Sequence, residues 1–152
     1  MNLGKGDKAP MFKAKDQDGN LISLSQFSGK KILYFYPKDD TPGCTANACD
    51  FRDNFAELKD LGFNVIGVSS QDEKSHTKFI AKYNLPFPLI ADTDLKVHHA
   101  YGVWGKKKFM GREYDGTHRT TFLIDEDNNI IDVITKVKTK AATDQIKALL
   151  SK

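Results

Sequence analysis

Ile32-Leu33-Tyr34-Phe35-Tyr36-Pro37-Lys38-Asp39-Asp40-Thr41-Pro42-Gly43-Cys44 joins two different periodicities across a short polar link. Ile32–Tyr36 is continuously apolar and aromatic, the pattern of a strand covered on both faces. Beyond Thr41-Pro42-Gly43, the residues Ala48, Phe51, Phe55 and Leu58 recur at spacings of three, four and three, which is one face of an amphipathic helix. Thr41 suits the N-cap, Pro42 the first helical position and Gly62 the stop. A central strand is therefore predicted to feed directly into a helix, with Cys44 in that helix's first turn.

Upstream, Phe12–Lys15 and Leu21–Leu24 flank Asp18-Gly19-Asn20 as a short N-terminal hairpin. Downstream, Asn64–Ser69 reads as a strand, and Ser70-Gln71-Asp72-Glu73 has the form of a capping box before a helix carrying Phe79, Ile80 and Tyr83. Phe87–Ala91 is a short extended run, and Asp94 is placed to cap a helix through Leu95, Val97, His98 and Tyr101 that stops at Gly102. Thr120–Asp125 and Ile130–Thr135 flank the turn Glu126-Asp127-Asn128-Asn129, and a last helix carries Ala142, Ile146, Leu149 and Leu150. An alternating half followed by an antiparallel hairpin and a helix predicts an α/β, thioredoxin-like fold: a mixed central sheet flanked by helices, with an N-terminal hairpin extension. No repeat or linker interrupts it, so residues 1–152 are expected to form one domain.

The composition, 39% hydrophobic and 28% charged, excludes a disordered or collagen-like chain. A chain of this size buries about 68–70% of its unfolded surface and needs no disulfide staple or structural metal, which leaves both cysteines for chemistry. A net charge of +3 is too mild to name a nucleic acid or a membrane as partner. The first twenty residues lack the apolar core of a signal peptide and no apolar run approaches membrane-spanning length, so a cytoplasmic protein is expected. In a reducing compartment, Cys44 and Cys49 read as metal ligands or as a redox or catalytic pair.

A thiol attacks as its thiolate, and the first turn of a helix favours the anion through unpaired N–H groups and the positive dipole end. Cys44 has that position at the C-terminal end of a central strand, where open α/β sheets bind ligands. A small polar substrate there could take hydrogen bonds from the Thr41 hydroxyl and from the N–H groups of the turn around Gly43, with Pro37 limiting water. The competing roles are plain ones, a small buried hydrophobe for Cys44 and a helix cap for Thr41. Cys-x-x-x-x-Cys is neither the spacing of a disulfide oxidoreductase nor half of a four-ligand zinc site. His76, His98, His99 and His118 could supply nitrogens, but the adjacent pair points apart on a helix, so no metal is expected. His118 as the base of a Cys–His hydrolase is unnecessary for a thiol at a helix terminus. Lys106-Lys107-Lys108-Phe109, near Trp104 and Arg112, has the mix of a nucleic-acid patch, but Glu113 and Asp115 oppose it and a solvated loop is predicted.

Pro37…Thr41…Cys44, Cys49, Tyr101-Gly102-Val103-Trp104-Gly105 and Arg119-Thr120-Thr121-Phe122-Leu123-Ile124-Asp125, in this order on matching elements, resemble the peroxiredoxins over nearly the whole chain. Within them the resemblance is to the bacterioferritin-comigratory-protein or Q-type branch. It implies a thiol peroxidase in which Cys44 is the peroxidatic cysteine, Cys49 resolves it, and Arg119 completes the site beside Pro37 and Thr41. It further implies hydrogen peroxide and organic hydroperoxides as substrates, a Cys44 sulfenic acid, an intramolecular Cys44–Cys49 disulfide, recycling by thioredoxin or a similar dithiol, and no cofactor. With the resolving cysteine in the same helix, a monomer suffices. The alternative from another class is a peroxide-responsive redox sensor without rapid turnover. One departure stands out: Asn47 occupies a position where many relatives have Glu. Helix geometry adds a constraint, since residues five apart lie about 8.6 Å apart between Cα atoms, beyond the roughly 6.8 Å that a disulfide tolerates. The implied disulfide therefore requires the helix to unwind.

Overall fold

The computed structural model describes residues 3–151. β1 (Lys13–Lys15) and β2 (Leu21–Ser23) pair antiparallel as the N-terminal hairpin. The alternating half follows as β3 (Lys30–Phe35), α1 (Pro42–Asp53), α2 (Phe55–Asp60), β4 (Phe63–Ser69), α3 (Glu73–Tyr83), β5 (Leu89–Ala91) and α4 (Lys96–Tyr101). Then come β6 (Trp104–Phe109), β7 (Arg112–Thr117), β8 (Thr120–Ile124), β9 (Ile130–Ile134) and α5 (Ala142–Leu150). The central sheet has the order β5-β4-β3-β8-β9, parallel from β3 to β5 and antiparallel across β3–β8 and β8–β9. This is the mixed, helix-flanked sheet that the element order predicts.

β3 runs through the middle, and its alternation supplies two cores. Ile32, Tyr34 and Tyr36 share one with Cys44, Ala48 and Phe51 of α1, Phe79 of α3 and Ile146 of α5. Leu33 and Phe35 share the other with Val97 and Tyr101 of α4 and Phe122 of β8. Burial on both faces is why the strand carries no polar position from Ile32 onward.

Four local expectations are corrected. The helix predicted to run to Gly62 breaks at Asn54, whose side-chain amide donates to the Asp50 carbonyl at 2.8 Å and competes with the helical ladder. Asp72, not Ser70, caps α3, accepting the Ser75 N–H at 2.9 Å. The side chain of Gln71 meanwhile accepts the Asp39 N–H at 2.6 Å, which draws this segment toward the loop before α1. Asp94 does accept the N–H of Lys96, the first residue of α4, at 3.2 Å, but it shares the first turn with Asp92, which takes the N–H groups of Val97 and His98 at 3.1 and 2.8 Å because Leu95 enters the helix with φ +64°. Finally, Lys106–Phe109 is not a loop but part of β6, which pairs with β7 through the two-residue turn Met110-Gly111. Both turn residues have positive φ, 51° and 80°, as a tight hairpin requires, and methionine gives no hint of it.

Gly67 in β4 shows how tightly the layer under α1 is packed: a Cβ there would lie 2.6 Å from Leu89 Cδ2 and 3.0 Å from Tyr34 Cζ. Gly67→Ala is expected to destabilise by about 1–3 kcal/mol, read as a lower urea midpoint at unchanged slope. A wild-type midpoint would show that the layer yields freely.

Candidate active site

β8 lies antiparallel to β3 with Thr120 opposite Phe35, so the residue just before β8 arrives beside the chain leaving β3. That residue is Arg119, whose Nη2 donates to Cys44 Sγ at 3.1 Å across 75 positions of sequence. Cys44 lies in the first turn of α1 and is 1% exposed. Gly43 sits under the guanidinium, where a Cβ would be 3.5 Å from Nη2. Pro37 is half-buried and follows Tyr36, whose N–H still pairs with the Val68 carbonyl at 3.1 Å.

Thr41 occupies the N-cap position, but its hydroxyl neither caps α1 nor is free to donate: it donates to the Lys38 carbonyl at 2.9 Å. In this arrangement the Thr41 oxygen can only accept from a ligand, the reverse of the donor role read from sequence. The tight turn brings the carbonyl there, since Asp40 has φ 57° and its carboxylate is held by Lys82 Nζ at 2.7 Å and Tyr83 OH at 2.6 Å. With no side-chain cap on α1, its first-turn N–H groups remain open to a ligand oxygen.

Two buried Asp–His pairs support the two walls. Asp39, in the loop before α1, receives Tyr36 OH at 2.6 Å and Ser75 Oγ at 2.7 Å and lies 2.6 Å from His76 Nδ1. His76 Nε2 lies 2.9 Å from the Ile90 carbonyl, tying that loop to α3 and β5. On the other side, His98 bridges Asp92 at 2.6 Å and Thr117 Oγ1 at 2.9 Å, fixing the end of β7 just before Arg119. Burial pushes both carboxyls up, but hydrogen bonds outweigh it and hold each below the ordinary 3.8: His76, Tyr36 and Ser75 act on Asp39, and His98 with backbone N–H groups on Asp92. The sequence offered His76 and His98 only as possible ligands; His98 is buried and its neighbour His99 exposed, so the two do point apart. Among the described residues no cluster of metal-ligating side chains occurs, and no helix is long and apolar enough to cross a membrane.

Cys49 is half-buried, and both cysteines are free thiols. Among the described residues, Asn47, one turn after Cys44, is fully buried with both amide atoms unpaired, and Arg119 Nη1 is also buried without a partner. Among the described residues no carboxylate braces the arginine, so its second amino group is an uncommitted donor on the guanidinium that holds the sulfur. Arg119 also borders a cleft of about 520 Å³ lined by Val103, Trp104, Lys107, His118 and Thr135 among others, though not by Cys44. Burial first, and the charge of Arg119 second, hold the Lys107 ammonium below its ordinary value. Lys107 was missed as a cleft residue, because its sequence neighbours Lys106 and Lys108 are the same residue type and only the pairing of β6 with β7 sets which one faces the cleft.

The model of the AhpC/TSA family matches residues 5–133. The chain belongs to that family. It is 48% identical over 138 residues to peroxiredoxin Bcp of Escherichia coli K12, covering 90% of this chain and 88% of the relative. The structure of peroxidoxin BcpB from Mycobacterium tuberculosis superposes with a TM-score of 0.87 at 33% identity, over 99% of this chain and 97% of that one. The Xanthomonas campestris bacterioferritin comigratory protein, whose structures concern its alkyl peroxide reduction activity, gives a TM-score of 0.84 at 32% identity over 92% and 90%. This AhpC/TSA protein is thus a peroxiredoxin of the bacterioferritin-comigratory, Q-type branch, a peroxidase among the oxidoreductases.

Because Asp39 and Asp92 titrate lower in the folded chain than in the unfolded one, their contribution to stability is complete above about pH 3.8 and is lost as pH falls through the depressed folded values. Urea midpoints are therefore expected to hold down to about pH 4 and to drop below it, with a shallower drop for Asp39→Asn. Equal acid slopes in the two proteins would remove Asp39 from the account.

Proposed function

We propose that this protein reduces hydrogen peroxide and organic hydroperoxides through Cys44, with Cys49 as the resolving cysteine and a thioredoxin-type dithiol as reductant. The observation that carries this reading is the Arg119 guanidinium, with Nη2 on Cys44 Sγ at 3.1 Å and Nη1 uncommitted. A permanent cation at that distance can follow the charge as it moves from sulfur to the leaving oxygen. The Cys44 thiolate attacks one peroxide oxygen, the O–O bond breaks, and sulfur keeps the hydroxyl as sulfenic acid. The departing oxygen, as hydroxide or alkoxide, takes a proton and leaves as water or alcohol. The first-turn N–H groups around Gly43 and the uncommitted Arg119 N–H are the donors for that oxygen, while the Thr41 oxygen accepts from the peroxide O–H. Pro37 shields the sulfur side.

Attack of the Cys49 thiol on the sulfenic sulfur then breaks the S–O bond, forms the S–S bond and releases water. An external dithiol returns both thiols and is itself oxidised. The low exposure of Cys44 and the half-burial of Cys49 on one helix support a closed reduced state that opens for this step. The residues 1–152 act in this scheme as one domain and as a monomer in the cytoplasm, needing no cofactor. The activity described for the Xanthomonas relative supports alkyl hydroperoxides as substrates here.

Sustained peroxide consumption with thioredoxin and its reductase is the expected result, whereas one equivalent per chain followed by silence would make the protein a sensor. Cys44→Ser should abolish consumption. Cys49→Ser should keep the first turnover and accumulate sulfinic acid on Cys44, detected by mass. Arg119→Ala should slow the first step by on the order of 10²–10³-fold, as loss of an oxyanion donor does; an unchanged rate would make Arg119 structural.

A further inference from the structure

Asp50, the residue after Cys49, sends its carboxylate out of α1 to another helix. Its Oδ2 accepts the Thr143 N–H at 2.7 Å and the Thr143 hydroxyl at 2.8 Å, 93 positions away in sequence. Thr143 is 1% exposed, so water competes poorly for these bonds. Helix α5 depends on them: its N-cap residue is Ala141, which supplies no side-chain cap, and a first-turn N–H is satisfied from α1 instead. The carboxylate also stands at the positive end of α5. Elsewhere the second half of α1 is held by burial of Ala48 and Phe51 and by Arg52 Nη1 on the Tyr83 carbonyl at 2.8 Å. To that packing, two bonds converging on one carboxylate oxygen add a directional restraint that ties α1 to α5.

We propose that Asp50 is a positioning residue whose bonds to Thr143 latch α1 closed beside Cys49, and that this latch sets how Cys44 sulfenic acid divides between disulfide and overoxidation. The inference rests on the Cys44–Cys49 pairing proposed above. While α1 is closed, Cys49 cannot reach the sulfenic sulfur, and a second peroxide can transfer an oxygen to it, giving sulfinic acid and water or alcohol. When α1 opens, the Cys49 thiol displaces the hydroxyl as water and the disulfide forms. Opening that reaches Asp50 also removes the cap of α5, so two helix ends loosen together. Charge-assisted bonds of this kind are strong enough that losing them should raise the open population about tenfold.

The test compares Asp50→Asn and Thr143→Val with Thr143→Ser, which keeps the hydroxyl. Amide exchange of residues 45–52 in the reduced protein should be about tenfold faster in the Asn variant, a few-fold faster in the Val variant, which keeps the main-chain N–H bond of residue 143, and wild-type in the Ser variant, with Ile32–Phe35 of β3 unchanged. Under rising peroxide, the ratio of sulfinic acid to disulfide, read from intact masses, should fall in the Asn and Val variants and hold in the Ser variant. Exchange and partition equal to wild type in Thr143→Val would overturn the latch, as would a uniform loss of protection that includes β3. Should Asp50→Asn fail to fold, the Val and Ser pair decides by itself. Absence of any Cys44–Cys49 disulfide in the wild type would overturn the pairing, and the partition with it, while the exchange contrast between Val and Ser still reports whether α1 is latched.

Discussion

Thr120 of β8 stands opposite Phe35 at the end of β3, and this antiparallel register delivers Arg119 to Cys44. A slip of one residue would turn the guanidinium to the other face of the sheet. The register is held because β3 and β8 are buried on both sides, so a slip would exchange side chains between two differently packed cores. The chemistry at the edge of the sheet thus inherits its precision from apolar packing in the middle.

Two buried Asp–His pairs extend that precision to the loops, where packing alone would not. Asp39–His76 binds the loop before α1 to α3, and Asp92–His98 joins α4 to the strand that ends before Arg119. In each, several hydrogen bonds converge on a carboxylate that burial would otherwise neutralise. Removing one member leaves a buried polar group unpaired, so each network behaves as a unit.

α1 answers to two opposed demands in the proposed cycle, holding the peroxide site when closed and releasing Cys49 when open. Its construction suits a helix of moderate local stability. It lacks a side-chain cap at Thr41, buries Asn47 with an unpaired amide, and breaks at Asn54. Against these weaknesses stand the Phe51 ring, 4.9 Å from that of Tyr34, and the Asp50 carboxylate on α5. Segments that open for function come from this low-stability range, while strands such as β3 carry the global stability.

The central strand, the helix after it and the placement of Cys44 in a first turn were all legible in residues 32–58, because hydrophobic period and turn chemistry are local. Motif resemblance pointed to Arg119, yet nothing local could place it against the sulfur; the β3–β8 register did that. The β6–β7 hairpin escaped because its turn uses Met110 with positive φ, a conformation imposed by strand pairing. The share of Asp92 in capping α4 beside Asp94 escaped for a similar reason, since Leu95 enters the helix with φ +64° and is held there by its surroundings. The sequence by itself determined the layered α/β fold and the place of Cys44 in the first turn of a helix. Which groups face that cysteine, and which carboxylate restrains its helix, was decided only in three dimensions: Arg119 and Thr143 come from elements 75 and 93 residues distant, and only packing brings such elements together.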